Sequence, residues 1–322
     1  MNFSHYLKEI GRGAKGAGDL SAEEAAQLYA AILDGGVPEL ELGAIILALR
    51  LKGETATELG AFLDAAEARA YRLERPVGEI RPVVLPSYNG ARRSANLTPL
   101  LALLLHRFGV PVLVHGLIES FGRVTSAQVF RELGIMPAAS LQQAQQELDQ
   151  KGLAFAPLSA FSPALAEQLA LRSRLGVRNC AHSLVKMLDP FGGTGLLITA
   201  VTHPHYLDII REVLSARART ALLLRATEGE PFANPQRRPR LELLRDGDRQ
   251  VLFEAERDNI KTSSQLPEDA DARSTAEWIG KVLDKKLPLP LPLANQLVCC
   301  LYASGCARDL NEARARVAAG GI

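Results

Sequence analysis

Over the first 70 or so positions apolar residues recur every three to four residues, the spacing of one helix face. Ser21 and Glu24 stand where a capping box opens a helix, and Ala25, Leu28, Tyr29 and Ile32 then line one side until Gly35-Gly36 stops it. Leu40 to Lys52 predicts a second helix closed by Gly53. Thr55 with Glu58 opens a third, carrying Leu59, Phe62, Leu63 and Ala66 at helical spacing. Short loops between amphipathic helices predict a small bundle.

Near residue 82 the period changes. Val83-Val84-Leu85 is a short apolar run, Leu97 to Phe108 is helical in pattern, and Val110 to His115 is apolar and β-branched again. Strand, helix and strand within so short a span predict a βαβ unit and hence a parallel sheet. Further strands are expected at Ala154-Phe155, Leu196 to Val201 and Ala221 to Leu224. Helices are expected between them at Thr125 to Leu133, Leu141 to Leu148, Pro163 to Arg174 and Tyr206 to Ser215. Leu241 to Leu244 and Val251 to Glu254 flank Asp246-Gly247, a hairpin turn signal. The polar stretch from Asn259 to Ala272 reads as a loop, and helices around Thr275 to Leu283, Ala294 to Ser304 and Asn311 to Ala318 close the chain. The order, helices first and then an alternating body, fits α/β with a separate helical domain, residues 1–75 being the helical part and 76–322 the part with a mainly parallel sheet; periodicity alone does not separate this from a generic doubly wound protein.

Composition narrows the picture little. The 322 residues are 47% hydrophobic, enough for one large core and a smaller helical unit. Lys+Arg is 37 against 36 Asp+Glu, so the net charge of +1 neither favours nor excludes a nucleic-acid partner, because a basic patch hides in a balanced sum. Aromatics at 5% argue against a surface built mainly on base stacking. No stretch approaches the roughly 18 uninterrupted apolar residues of a membrane helix, and the first residues lack a basic-then-apolar signal pattern. Cys180, Cys299, Cys300 and Cys306 form no CxxC pair and have no His at ligand spacing, so they read as buried free thiols of a cytoplasmic protein.

The segment from Asn96-Leu97-Thr98 to Val110-Pro111-Val112-Leu113-Val114-His115-Gly116 resembles anthranilate phosphoribosyltransferases. So do Arg123, Ser126-Ala127, Leu133-Gly134-Ile135, Phe155-Ala156-Pro157 and Arg172-Ser173-Arg174-Leu175-Gly176-Val177-Arg178-Asn179. The resemblance covers most of the chain and implies the phosphoribosyltransferase fold of the anthranilate phosphoribosyltransferase and nucleoside phosphorylase type, with an N-terminal helical (dimerisation) domain over residues 1–75 that helices from about 163–190 join. A divergent branch of that family, the YbiB-type proteins, is more similar still. Its marks are Glu9-Ile10-Gly11-Arg12-Gly13, Pro86-Ser87-Tyr88-Asn89-Gly90-Ala91-Arg92, Cys180-Ala181-His182 after Asn179, and the long string from Thr227 to Arg237. That branch implies a homodimer that binds nucleic acid without strong sequence preference and lacks anthranilate transfer.

The departures from the transferase pattern fall on its chemistry. A GTGGD loop holds diphosphate because glycines let backbone N–H groups turn inward. Here the loop reads Pro86-Ser87-Tyr88-Asn89-Gly90, with one donor removed by proline and bulk added by Tyr88 and Asn89. It is either a ligand-free strand-to-helix turn or a reshaped loop that meets other phosphates with Arg92 and Arg93 beside it. A Lys-His-Gly-Asn-Arg segment is reduced to His115 and Gly116, and His115 is either a ligand contact or a packed strand-end histidine. Together with Asn96 and Thr98, these are the remnant of a phosphoribosyl pyrophosphate site. The adjacent Asp and Glu that hold Mg²⁺ in the family read Gly229-Glu230, with Glu228 before them, so a hard-cation site is weakened and neither metal nor other cofactor is expected.

What persists is basic. Arg172, Arg174 and Arg178 lie on or after a helix, and Arg172 matches an arginine that contacts the aromatic acid in the transferases. Lys8, Arg12 and Lys15 flank a glycine-rich loop, Arg123 follows the second strand, and Arg237-Arg238-Pro239-Arg240 is a basic loop. Each alone reads as a solvated or ion-paired surface residue; together they predict a positive groove suited to a phosphate backbone. The expectation is a nucleic-acid-binding homodimer, single- or double-stranded ligand unspecified. The alternatives are a phosphoribosyltransferase with an unidentified acceptor, or a non-catalytic protein scaffold.

Overall fold

The computed structural model describes residues 2–13, 15–120, 122–226, 228–256, 266–267 and 269–321. Four helices come first: α1 (Phe3–Ile10), α2 (Ala22–Leu33), α3 (Glu39–Lys52) and α4 (Ala56–Glu67). Both expected capping boxes form. The Ser21 and Thr55 hydroxyls accept from the N–H groups of Glu24 and Glu58, whose carboxylates accept in return from the cap N–H groups.

The chain then alternates. β1 (Val83–Ser87), α5 (Thr98–Arg107), β2 (Val112–Gly116), α6 (Ser126–Glu132), α7 (Leu141–Lys151) and β3 (Leu153–Pro157) make one half of a sheet. A crossover through α8 (Leu158–Phe161), α9 (Pro163–Ala170), α10 (Arg172–Leu175) and α11 (Ala181–Leu184) packs α9 on α2 and α11 on α4. It leads into β4 (Leu196–Val201), α12 (Pro204–Ala216) and β5 (Ala221–Arg225). A hairpin of β6 (Leu241–Arg245) and β7 (Asp248–Phe253) follows, then α13 (Ala272–Leu283), α14 (Leu291–Ala303) and α15 (Leu310–Ala319). The run expected to be helical from Pro163 to Arg174 is divided at Leu171, and Gly176 at φ +73° closes its second piece. The loop expected from Asn259 to Ala272 lies largely outside the described residues.

The sheet order is β3-β2-β1-β4-β5-β6-β7, with the first five strands parallel and the last two antiparallel. The hairpin turn forms at Asp246 and Gly247, both at positive φ, as a tight two-residue connection requires. Alternation along the strands divides two cores. Val83, Leu85, Val112, Val114, Leu196 and Ile198 face α5, α13 and α14, whereas Val84, Leu113 and Leu197 face the side shared with the N-terminal helices. Burial on both faces explains why the strands read as unbroken apolar runs. All four cysteines are buried and free. Among the described residues no helix is long and apolar enough to cross a membrane.

The strand order reverses between β1 and β4: the chain leaves β1 towards β2 and β3, then returns to the other side of β1. A crevice opens at such a switch point, outside the carboxyl ends of the strands.

Candidate functional site

The crevice is built from the ends of β1, β4 and β5. Its floor is the segment Ser87–Gly90 that follows β1. Gly90 sits at φ +68°, and a Cβ there would lie 2.8 Å from the Val124 carbonyl oxygen, so the turn requires glycine. Gly116 is equally constrained, because a Cβ there would run into the Ser87 carbonyl oxygen.

The two glutamates after β5 turn into this floor. The Glu230 carboxylate is fully buried and accepts from the N–H groups of Asn89 at 3.1 Å and Gly90 at 2.8 Å. The Thr98 hydroxyl donates to it at 3.3 Å, and the Ser87 hydroxyl donates through a short contact. Glu228 accepts from the N–H groups of Arg92 at 3.0 Å and Arg93 at 2.8 Å, and from the Arg123 guanidinium at 3.0 Å. Burial pushes the Glu230 carboxyl above its ordinary pKa, against the hydrogen bonds from Ser87, Asn89 and Gly90. For Glu228, burial is outweighed by the N–H groups of Arg93 and Arg92 and by the charge of Arg123, and the pKa lies below its usual value.

These contacts occupy the loop backbone beside Arg92 and Arg93. Those N–H groups already hold Glu228, while the side chains of both arginines remain exposed. Nor does Tyr88 stand as bulk above the loop. It turns beneath it, 1% exposed, with its ring edge-on to His182 and under the Lys186 ammonium. Of the two readings of His115, the structure has the packed one: the ring is fully buried, edge-on to Phe161 at 5.1 Å, and burial depresses its pKa to about 3. Asn96 is also buried, donating to the Val124 carbonyl and accepting from the Thr98 N–H.

Above the floor lies an open cleft of about 800 Å³. Eight arginines line it: Arg92, Arg93, Arg123, Arg178, Arg225, Arg237, Arg238 and Arg240. Arg123 pairs with Glu228, Arg238 with Glu256, and Arg240 with Glu242 and Glu254. The other five make no ion pair with a described carboxylate. Arg178 donates to the Asn89 side-chain oxygen at 2.8 Å, and Arg172, just below the cleft, donates to the same atom at 3.3 Å. Two guanidiniums on one amide oxygen hold the floor against the wall.

The structure thus gathers six of the expected cations around one space and leaves others apart. Lys8, Arg12 and Lys15 are exposed on and after α1 and do not line the cleft. Arg174 turns to α3, bonding Glu39 at 3.2 Å through both terminal nitrogens. Sequence reasoning missed Arg225, and Arg240 entered it only as part of the basic loop. Arg225 had a signal, since it ends the apolar run of β5 and so stands at the carboxyl edge of a parallel strand. Lys186 was missed too; burial and the nearby Arg178 push its pKa down to about 7.

Comparison with known proteins agrees with this architecture. Residues 4–70 match the helical bundle domain of the glycosyl transferase family. Anthranilate phosphoribosyltransferase from Thermus thermophilus superposes with a TM-score of 0.74 over 94% of this chain and 91% of that one, at 22% identity. The Saccharomyces cerevisiae enzyme, solved with PRPP and Mg, also gives 0.74, covering 99% and 94% at 13% identity. The chain therefore has the anthranilate phosphoribosyltransferase fold. In sequence it is 30% identical to the Methanosphaerula palustris anthranilate phosphoribosyltransferase, over 61% of this chain and 58% of that enzyme. It is 44% identical to the Escherichia coli protein YbiB over 98% of this chain and 99% of that protein, and it belongs to the YbiB family within the anthranilate phosphoribosyltransferase-like proteins.

Proposed function

We propose that this protein binds nucleic acid with little sequence preference through the arginine-lined cleft, and that it is not an anthranilate phosphoribosyltransferase. The observation that carries this reading is the cleft's charge: eight arginines, five of them without a described carboxylate partner. Guanidiniums present forked donors suited to phosphate oxygens, and contacts of that kind hold the polymer without reading its bases. The transferase alternative needs a carboxylate pair free to hold Mg²⁺. Here the carboxylates of Glu228 and Glu230 are engaged by the N–H groups of the floor, which supports the non-catalytic reading.

A homodimer through the helical domain belongs to the same reading. Leu40, Leu47 and Leu51 stand 83%, 45% and 67% exposed on one face of α3, with Leu175 beside them; a row of exposed leucines suits a second apolar surface. The test is titration of a labelled single strand at several salt concentrations. Binding that weakens steeply with salt and is alike for unrelated sequences supports the proposal; no binding at low salt removes it.

A further inference from the structure

Beneath the floor, two buried polar groups face one small space. Lys186 follows α11 and is 8% exposed, its backbone held by the Thr199 hydroxyl, which donates to the Lys186 carbonyl at 2.9 Å. Its Nζ makes no hydrogen bond or ion pair with a described residue, unlike most buried amines. The neighbouring Tyr88 hydroxyl is fully buried and also has no hydrogen-bond partner among the described residues. The two meet at Gly229, where an added Cβ would lie 3.4 Å from the Tyr88 hydroxyl oxygen and 3.8 Å from Lys186 Nζ. They are too far apart to bond each other and near enough for one small group to bridge. The surrounding charge is mainly positive. Arg178 acts on both Lys186 and Tyr88, and Arg123 and Arg172 act on Tyr88 as well. His182, four residues before Lys186, is neutral, because burial and Arg178 depress its pKa to about 3. The facing carboxylate is Glu230, whose charge is taken up by Ser87, Asn89, Gly90 and Thr98. Such surroundings disfavour a cation at Nζ and favour an anion.

We infer that Lys186 is a carbon dioxide site, at which the free amine forms a carbamate held between the Tyr88 hydroxyl and Arg178. The Nζ lone pair attacks the carbon of carbon dioxide, one C=O electron pair moves onto oxygen, and one N–H proton passes to solvent. The product is a carbamate with one negative charge, formed reversibly from the amine and carbon dioxide alone. Three features favour the step. The reactive form is the neutral amine, and burial with the nearby Arg178 brings the Lys186 pKa down to about 7, so the free amine is well populated near neutral pH. The carbamate oxygens supply the acceptor that the Tyr88 hydroxyl lacks; burial pushes that phenol up to about 12, so it stays a protonated donor. The slight exposure of Lys186 admits a small linear molecule and excludes one the size of a nucleotide. Carbamate formation places a negative charge behind Arg178, which lines the cleft and donates to the Asn89 side chain at 2.8 Å. Carbon dioxide would thereby alter the charge of the cleft wall, whatever the cleft binds.

The test uses the full chain in isotope-labelled bicarbonate, without nucleic acid. A trialkyloxonium salt fixes any carbamate as its ester, and peptide mass spectrometry locates it; carbon NMR follows the carbamate signal directly. At about pH 7.5 an ordinary lysine is free amine to roughly one part in a thousand, so the ester at Lys186 should exceed that at the exposed Lys15 and Lys281 by at least about tenfold. The carbamate signal should be lost in Lys186→Met. In Tyr88→Phe, which keeps the ring and removes the donor, occupancy should fall about threefold, the worth of one ordinary hydrogen bond. An unmodified residue 186, or an ester there no more abundant than at Lys281, overturns the inference, and so does a signal undiminished in a folded Lys186→Met. The mass measurement reads the unsubstituted protein and stands even if a variant fails to fold. Tyr88→Phe at the parent's occupancy would remove the hydroxyl from the site.

Discussion

Replacing Glu230 by alanine removes the acceptor on which the floor of the cleft converges. Four donors lose it: the hydroxyls of Ser87 and Thr98 and the N–H groups of Asn89 and Gly90. The hydroxyls can turn to other partners, and Ser87 already shares a 2.6 Å contact with Ser126. The two N–H groups cannot turn. A buried donor left without a partner costs ~1–3 kcal/mol. Relief of the burial that raises the Glu230 pKa offsets part of this, leaving a loss of about 2–4 kcal/mol. At ~2 °C per kcal/mol for a chain of this size, Tm should fall by about 4–8 °C. The loss should also depend on pH. The folded-state pKa of Glu230 is raised above its ordinary 4.5, so its titration favours the folded chain fully below that value and the benefit fades as pH rises through the raised one. The substitution should therefore cost more at pH 5 than at pH 8. Urea denaturation of both proteins at the two pH values measures this. An alanine variant as stable as the parent, or a larger loss at pH 8, would refute the role assigned to the buried carboxylate.

Gly116→Ala should destabilise the same region from the other side. Its Cβ would meet the Ser87 carbonyl, a backbone atom that cannot swing away, so β1 and β2 must part at the mouth of the cleft; a loss of about 3 kcal/mol is expected from thermal unfolding, and an unchanged Tm would contradict it. The double substitution Leu47→Glu with Leu51→Glu should turn a dimer into a monomer in light scattering while the helical content is kept; a parent that is already monomeric at tens of micromolar would refute the dimer outright.

Local rules made most of the fold legible in the sequence. Capping boxes, glycine stops and unbroken apolar runs each place an element without reference to distant contacts, and the Asp246-Gly247 turn announced the antiparallel edge. The site was less legible, for a physical reason. A basic residue looks the same in sequence whether it faces a cleft or an acid. Arg174 and Arg178 stand four positions apart, yet the first pairs with Glu39 and the second lines the cleft. Lys8, Arg12 and Lys15 have the same basic character as the lining of the cleft but do not line it. The fate of Glu228 and Glu230 was hidden altogether. Reading them as metal remnants followed from their place in the chain; that they reach back 135 to 141 residues to cap the backbone N–H groups of the loop after β1 is a tertiary fact.

The central claim is that the arginine cleft binds phosphate backbones, and a salt titration tests it most directly. Each neutralised phosphate on a single strand contributes about −0.7 to the slope of log K against log salt, so the five cleft arginines without a described carboxylate partner correspond to a slope of about −3.5. The parent should approach that value with unrelated sequences. Arg92→Ala with Arg93→Ala, two exposed side chains whose loss should leave folding intact, should flatten it by about 0.7–1.4 and weaken binding equally for every sequence. A folded double variant with the parent's slope would contradict the placement of the phosphate path, and a parent with no salt-dependent binding would contradict the claim itself.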